Sequence, residues 1–224
     1  MQRMQATVLR AAAALGLAAL AGCAAPGAVI RGTLRVPARA AARRATSGGH
    51  APRAAVQPRP DLSEAVLYIE RIPVPAGKRS PPALPAPARA RLYSEPDRFE
   101  PRVVAVARGD SVVFVNRDRR WHSPFSVSPA KRFELGSVAP GKSHPLRFER
   151  PGIVRVFCKL HADSSALVFV TPNLAWAHPD ASGTFALPAL PPGSYELKAW
   201  HPRYGERRWH VDLPRRGVAL ELVL

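Results

Sequence analysis

The segment Val154-Arg-Val-Phe-Cys-Lys-Leu-His161 contains an alternating strand that ends in a cysteine, with a histidine three residues further on. Side chains of a strand point alternately to its two faces, so Val154, Val156 and Cys158 share one face and Arg155 lies on the other. The apolar face is the one that packs into a core. Cys158 is therefore predicted to point inward, as a protected metal ligand would.

Every other periodic segment of the chain also alternates with period two, and no stretch carries a helical apolar stripe. The predicted strands are 28–36, 64–72, 103–106, 112–115, 146–148, 153–158 and 166–170, followed by an alternating C-terminal segment at 173–224. Turn residues separate them, for example Gly109-Asp110 and Pro151-Gly152. The pattern predicts an all-β protein.

Residues 1–22 are predicted to be a signal peptide and not part of the fold. Arg3 and Arg10 precede an apolar run at 11–20 that is too short for a stable membrane span. The run ends in Leu20-Ala-Gly-Cys23, which resembles a bacterial lipobox. That resemblance implies cleavage before Cys23 and acylation of this cysteine, whereas the alternative is an ordinary cleaved signal with an incidental cysteine.

Export places the protein on the periplasmic face of the cell envelope, where the lipid would anchor it to a membrane. Ala24 follows the cysteine and is not a retention signal of the Asp type, which favours the outer membrane. Lipidation of Cys23 would leave Cys158 as a single thiol in an oxidising compartment. Metal ligation would explain such a thiol, and a buried inert cysteine is the alternative.

Histidines supply the other donors of a candidate metal site. His122 ends the run Asn116-Arg-Asp-Arg-Arg-Trp-His122, and His161 follows Cys158 at ligand spacing. One thiolate and two imidazoles are the donor set of a blue-copper site. We therefore predict one copper ion held by His122, Cys158 and His161, with one-electron transfer as the leading interpretation.

Residues 90–172 resemble a cupredoxin, a member of the plastocyanin and azurin superfamily. The matching elements are Phe99-Glu-Pro101, Gly109-Asp-Ser-Val112, the run 116–122 and Cys158-Lys-Leu-His161. Within the superfamily the chain is similar to methylamine-utilisation-like, plastocyanin-like exported proteins, in a run at 126–136 that we interpret as scaffold. The resemblance implies a Greek-key β-sandwich with one copper near one end, His122 being the early ligand and Cys158 with His161 the late pair.

Residues 173–224 resemble the end of a carboxypeptidase-regulatory-like, transthyretin-like sandwich, in the runs Asp180-Ala-Ser-Gly-Thr-Phe185 and Leu190-Pro-Pro-Gly-Ser-Tyr195. Residues 28–72 match the opening strands of such a sandwich, with a disordered loop at about 37–62. We predict that these two segments form one small sandwich, and that a proline-rich linker at 73–89 leads into the cupredoxin at 90–172. The alternative is that 28–72 adds strands to the cupredoxin.

The chain differs from the family it resembles at the position of the axial ligand. Relatives commonly carry a methionine three residues after the second histidine, but here that position is Ser164, and both methionines precede Cys23. Three interpretations stay open. In the first, copper binds with an axial oxygen, for which Asp163 and Ser164 are the nearby candidates, and the reduction potential falls. In the second, copper is three-coordinate and the reduction potential rises. In the third, the site has decayed and the domain is a scaffold.

The two residues that flank His122 are candidates for roles beside the metal without being ligands. Ser123 stands where relatives often carry asparagine, and we expect it to lie beside the sulfur and to tune the site. Trp121 shields the metal, offers an electron route or simply packs. The remaining histidines, including His144, His178, His201 and His210, are expected to be solvated surface residues.

The chain is strongly basic, with 33 Lys and Arg against 16 Asp and Glu and a formal net charge of +17. Residues 31–60 contain seven arginines and no acidic residue. For an exported lipoprotein this predicts contact with anionic lipid or with an acidic redox partner and not with nucleic acid, while a compositional bias of the genome is the alternative.

The sequence contains no Gly-x-Ser-x-Gly elbow and no phosphate-binding glycine loop, and its carboxylates are scattered. We therefore predict an electron carrier and not an enzyme. The alternative function is that of a non-redox envelope β-sandwich, metal-free or copper-storing, which binds a partner or a surface glycan.

Overall fold

The structure, a computed structural model, describes residues 27–36, 61–74, 79–86 and 89–224. The predicted signal peptide, Cys23, nearly all of the loop at 37–62 and parts of the linker at 73–89 lie outside the described residues. The described part contains sixteen β-strands and one short 3-10 helix at Leu62–Glu64, which confirms the all-β fold class. Within these ranges no helix is long and apolar enough to cross a membrane.

Nine strands between residues 90 and 171 form two sheets. The first sheet has the order β5-β11-β10-β7-β8, with β5 (Val103–Ala107), β7 (Pro124–Ser128), β8 (Lys131–Glu134), β10 (Gly152–Cys158) and β11 (Ser165–Thr171). The second has the order β4-β3-β6-β9, with β3 (Ala90–Glu95), β4 (Arg98–Glu100), β6 (Ser111–Asn116) and β9 (Ser143–Arg147). Buried side chains of both sheets, including Leu92, Phe114 and Val156, share one core, so the sheets form a sandwich.

The strand that ends at Cys158 has the predicted alternation. Val154, Val156 and Cys158 are buried, whereas Arg155 is exposed on the opposite face. The turn at Gly109-Asp110 joins β5 to β6 as predicted, but the two strands belong to different sheets. Gly109 has a φ of +94°, a left-handed conformation that favours glycine, and its N–H donates to the carbonyl of Phe148.

The remaining strands come from the parts of the chain before and after this sandwich in sequence. A three-stranded sheet has the order β13-β1-β16, with β1 (Ile30–Arg35), β13 (Thr184–Ala186) and β16 (Val218–Val223). A four-stranded sheet has the order β12-β2-β14-β15, with β2 (Val66–Ile69), β12 (Trp176–Ala177), β14 (Gly193–His201) and β15 (Gly205–Leu213). Both strands from 28–72 therefore pair with strands of 173–224. The transthyretin-like resemblance and the domain boundaries stay predictions.

These two sheets also share a core of their own, which includes Ile30, Leu67, Leu197 and Val211. The parallel pairing of β1 with β16 requires a glycine, because a Cβ at Gly32 would collide with the carbonyl of Leu220. The chain thus leaves this pair of sheets after β2 and returns to it at β12.

A small cluster of side chains joins the two pairs of sheets. Tyr68 of β2 lies against Phe169 of β11, with ring centroids 5.3 Å apart, and Phe169 contacts Trp200 of β14 at 5.0 Å. His178 adds a polar link, because its Nδ1 lies 2.8 Å from the carbonyl oxygen of Ala65 and its Nε2 accepts the N–H of Ala105 at 3.2 Å.

The expectation that the remaining histidines are solvated is wrong for two of them. His178 is partly buried and has both ring nitrogens on backbone groups. His201 is buried, and its ring lies between the carbonyl of Asp61 and the N–H of Arg203. Burial of a neutral imidazole is tolerated because both nitrogens are hydrogen-bonded. His144 and His210 are exposed as expected.

Candidate metal centre

The pairing of two strands brings the predicted site residues together. Cys158 is the last residue of β10 and pairs with Pro124, the first residue of β7. His122 precedes Pro124 by two residues and is held by backbone hydrogen bonds to Val138 in both directions. His122 therefore lies beside the end of β10, and His161 lies in the loop that connects β10 to β11.

Both imidazole rings turn the same nitrogen toward the sulfur. Nδ1 of His122 lies 3.7 Å from Sγ of Cys158, and Nδ1 of His161 lies 3.6 Å from the same atom. The two rings are neighbours, with centroids 4.3 Å apart and planes inclined by 36°. One donor atom from each of the three residues lies within 4.8 Å of the other two, so the group could hold a metal ion.

The spacing fits a metal bound between the three atoms. Bonds of about 2.3 Å to a thiolate sulfur and about 2.0 Å to an imidazole nitrogen, the values for zinc, place sulfur and nitrogen roughly 3.5–3.7 Å apart at tetrahedral or trigonal angles. The observed separations of 3.6 and 3.7 Å fall in this range. A soft thiolate with two imidazoles is a donor set that copper prefers.

Two of the three residues of the candidate site are buried and one is partly exposed. His122 is fully buried and Cys158 is 5% exposed, whereas His161 is partly exposed. Burial, together with the nearby His122 and the positive charge of Arg120, lowers the pKa of His161 below its ordinary value. All three effects favour the neutral imidazole, which is the form that binds a metal.

Asp118 is a site residue that the sequence interpretation missed. Its Oδ2 lies 2.9 Å from Nε2 of His122, the nitrogen that faces away from the sulfur, and its side chain is only 7% exposed. The hydrogen bond from His122, with others from the backbone N–H of Arg119 and the side chain of Arg120, holds the pKa of Asp118 well below its usual range. The sequence signal was a carboxylate four residues before a candidate ligand.

Asn116 organises the loop that carries Asp118 and His122. Its buried side-chain amide donates to the carbonyls of Arg120 and Val138, at 2.8 and 2.9 Å, and its Oδ1 accepts the N–H of Asp118 at 2.9 Å. These three bonds satisfy backbone groups that leave β6 and enter the site loop. Asn116 therefore acts on the geometry of the site and does not contact the sulfur.

Ser123 lies beside the sulfur, but through its backbone. Its N–H donates to Sγ of Cys158 at 3.3 Å, and its carbonyl accepts the N–H of Lys159 at 3.0 Å. A backbone donor to a thiolate stabilises the negative charge on sulfur. The contact does not depend on the identity of the side chain at this position.

Ser164 and Asp163, the two axial candidates, occupy different environments. Ser164 closes the ligand loop, since its carbonyl accepts the N–H of Cys158 and its N–H donates to the carbonyl of His161. Its hydroxyl is fully buried and has no hydrogen-bond partner among the described residues. Asp163 is exposed and lines a cleft of about 340 Å³ with Arg102 and Ser165.

Two apolar side chains stand exposed beside the two candidate ligand histidines. Trp121, next to His122, is 54% exposed, and Leu160, next to His161, is also 54% exposed. Such exposure does not fit the interpretation of Trp121 as a simple packing residue. It leaves shielding of the metal and electron transfer as the open roles.

No protein-family model matches the chain, and no curated protein matches it in sequence. Among solved structures, a purple cupredoxin from Nitrosopumilus maritimus is 20% identical with a TM-score of 0.33, over 37% of this chain and 99% of that one. A copper-containing nitrite reductase from Thermus scotoductus is 21% identical with a TM-score of 0.37, over 46% of this chain and 28% of that one. An oxidised amicyanin variant is 20% identical with a TM-score of 0.35, over 42% of this chain and 94% of that one.

The solved structures that this chain resembles are thus cupredoxins, matched at low identity and over part of the chain. The proposed function therefore rests on the geometry of the site itself.

Proposed function

We propose that this protein binds one copper ion through His122, Cys158 and His161 and transfers single electrons. The convergence of both Nδ1 atoms on Sγ, at 3.7 and 3.6 Å, is the observation that carries the proposal. Bound copper would supply the reversible one-electron chemistry. Nothing in this role requires a substrate pocket beside the site, and we propose a carrier and not an enzyme.

The protein's own residues do three things for such a site. Burial of His122 and Cys158 excludes water and limits rearrangement when the charge changes. The N–H of Ser123 stabilises the negative charge on the sulfur of Cys158 by a hydrogen bond. The partial exposure of His161 leaves one edge through which an electron can pass to a partner.

We propose Ser164, in preference to Asp163, as the residue that would supply the fourth ligand. A buried hydroxyl without a partner is costly, and it becomes satisfied if it faces a bound cation. Asp163 is exposed and lines a separate cleft, so it is the weaker candidate. An oxygen ligand in place of a thioether favours Cu(II) and lowers the reduction potential.

The experiment that tests the function is copper loading of the purified protein, followed by metal analysis, optical absorption and EPR. We expect one copper per chain and an intense thiolate-to-copper band that disappears reversibly on reduction. Cys158→Ser should abolish the band, whereas His144→Ala, an exposed histidine away from the site, should leave it unchanged. Absence of stoichiometric copper, or copper without the band, would favour a non-redox β-sandwich.

We further propose that Cys23 carries a lipid that anchors the protein to the periplasmic face of the envelope, with an acidic redox partner. The lipobox-like run and the basic composition support this assignment. Cys23→Ser should move the protein from the membrane fraction to the soluble fraction. An unchanged distribution would overturn the lipid anchor but would not affect the copper site.

A further inference from the structure

The carboxylate of Asp118 is hydrogen-bonded to the buried histidine of the candidate copper site and to two neighbouring arginines. Oδ2 of Asp118 lies 2.9 Å from Nε2 of His122 and accepts Nε–H of Arg120 at 3.0 Å, and Oδ1 accepts the N–H of Arg119 at 2.6 Å. Every described contact of this carboxylate is therefore with a donor. Arg120 also reaches Asp97, whose Oδ1 lies 3.2 Å from Nη2.

The contact decides the tautomer of His122. An ionised carboxylate only accepts hydrogen bonds, so the proton of a neutral His122 must reside on Nε2. The lone pair then resides on Nδ1, the atom that faces Cys158 Sγ at 3.7 Å. With the opposite tautomer, two lone pairs would face each other at Nε2 and the metal-facing nitrogen would carry a proton.

The contact also changes the strength of the donor. A negative charge on the N–H side of an imidazole raises the basicity of the other nitrogen. A more basic nitrogen, with a negative charge behind it, stabilises Cu(II) more than Cu(I). Asp118 is well placed for this effect because its side chain is 7% exposed, so water screens its charge poorly.

We propose that Asp118 is a positioning residue that fixes the metal-binding tautomer of His122 and lowers the reduction potential of the site, and that Arg120 moderates this effect. The inference rests on the proposed function, since it concerns the same copper ion. Arg120 opposes Asp118 because it shares Oδ2 with His122 and places a positive charge beside it.

The test is the reduction potential of copper-loaded Asp118→Asn, measured by spectroelectrochemistry. The amide preserves the shape and still offers an oxygen to Nε2–H, but it removes the charge. We expect binding of Cu(II) to weaken about tenfold relative to Cu(I), which for a one-electron couple raises the potential by about 59 mV. An unchanged potential with the copper band intact would overturn the inference.

Asp97→Asn is the matched control. Like Asp118→Asn, it removes one negative charge that pairs with Arg120. Asp97, however, is 82% exposed and has no described contact with His122. Its potential should stay near the wild-type value. Equal shifts in the two variants would mean that general charge and not the contact with His122 sets the potential, and would overturn the inference.

Arg120→Gln gives a second readout of opposite sign, at a side chain that is 49% exposed. Removal of this positive charge should lower the potential, and an unchanged or raised potential would count against the proposal. Wild-type protein that binds no copper or lacks the thiolate band would refute the proposed function itself. Wild-type protein with a normal band and unresponsive variants would refute only the role of Asp118.

Discussion

Sγ of Cys158 lies 3.7 Å from Nδ1 of His122, although the two residues are 36 positions apart in the chain. The pairing of Cys158 with Pro124 produces this contact, because it places the residues that follow His122 directly opposite the end of β10. A backbone hydrogen bond from Lys159 to Ser123 continues the pairing past the strand. The site is therefore built on two hydrogen-bonded strands and one short loop, and the strand pairing fixes the relative positions of its residues.

The two proposed histidine ligands should differ in whether added imidazole can replace them. His161→Gly leaves an opening at the partly exposed edge of the site, whereas His122→Gly leaves an enclosed cavity. We expect external imidazole to restore the copper band of His161→Gly and not that of His122→Gly. Optical titration with imidazole measures this difference. Restoration in both variants would show that His122 is accessible and would contradict its burial.

Ser164→Met should raise the reduction potential and move the absorption toward the blue-copper type. A thioether is a softer ligand than a hydroxyl and favours Cu(I), and the substitution also removes an unpaired buried hydroxyl. Ser165→Met, at the exposed next position, is the matched control. If both variants kept the wild-type potential while remaining folded, Ser164 would not be the axial position.

Protonation of His178 should destabilise the protein as the pH falls. Burial lowers the pKa of His178 from its ordinary 6.5, although hydrogen bonds to the backbone of Ala65 and Ser63 oppose this change. The unfolded chain then binds a proton that the folded chain resists, so stability is fully present above about pH 6.5 and is lost as the pH falls toward the folded-state pKa. The loss is at most about 1.4 kcal/mol per pH unit for one proton.

Urea denaturation of the metal-free protein between pH 7 and pH 5 measures this loss. His178→Gln should reduce the dependence on pH, because the amide can donate to Ala65 and accept from Ala105 without titrating. His201 also has a pKa lowered by burial, so part of the dependence should remain. A His178→Gln slope equal to that of the wild type would refute the role of His178.

Leu67→Ala should lower the free energy of unfolding by about 2–5 kcal/mol, because it opens a cavity in a fully buried position. Leu67 belongs to the core shared by β2, β14 and their neighbours and not to the core beneath Cys158. The copper spectrum of the folded variant should therefore match that of the wild type. Thermal or urea denaturation with the optical spectrum tests both parts, and a changed spectrum in the folded variant would show that the two cores are coupled.

The period-two alternation was sufficient to predict the fold class and the inward direction of Cys158, because both follow from which side chains of a strand face the core. The pattern was weaker where strands are short or polar. β8 (Lys131–Glu134) and β4 (Arg98–Glu100) were missed, since three or four residues that are mostly charged do not produce a recognisable apolar alternation. His178 and His201 were expected at the surface, because a sequence does not show that backbone groups will satisfy both ring nitrogens.

Residue type and spacing by themselves determined the all-β class, the pairing of Cys158 with His161 across one loop, and the candidate role of His122. These follow from local chemistry, because a thiolate and an imidazole three residues apart at a strand end are already close. Only the tertiary structure decided the rest: that both Nδ1 atoms face Sγ, that Asp118 backs His122, and that strands from 28–72 pair with those of 173–224. Such relationships depend on strand register and ring orientation, which packing over the whole chain selects and no local pattern encodes.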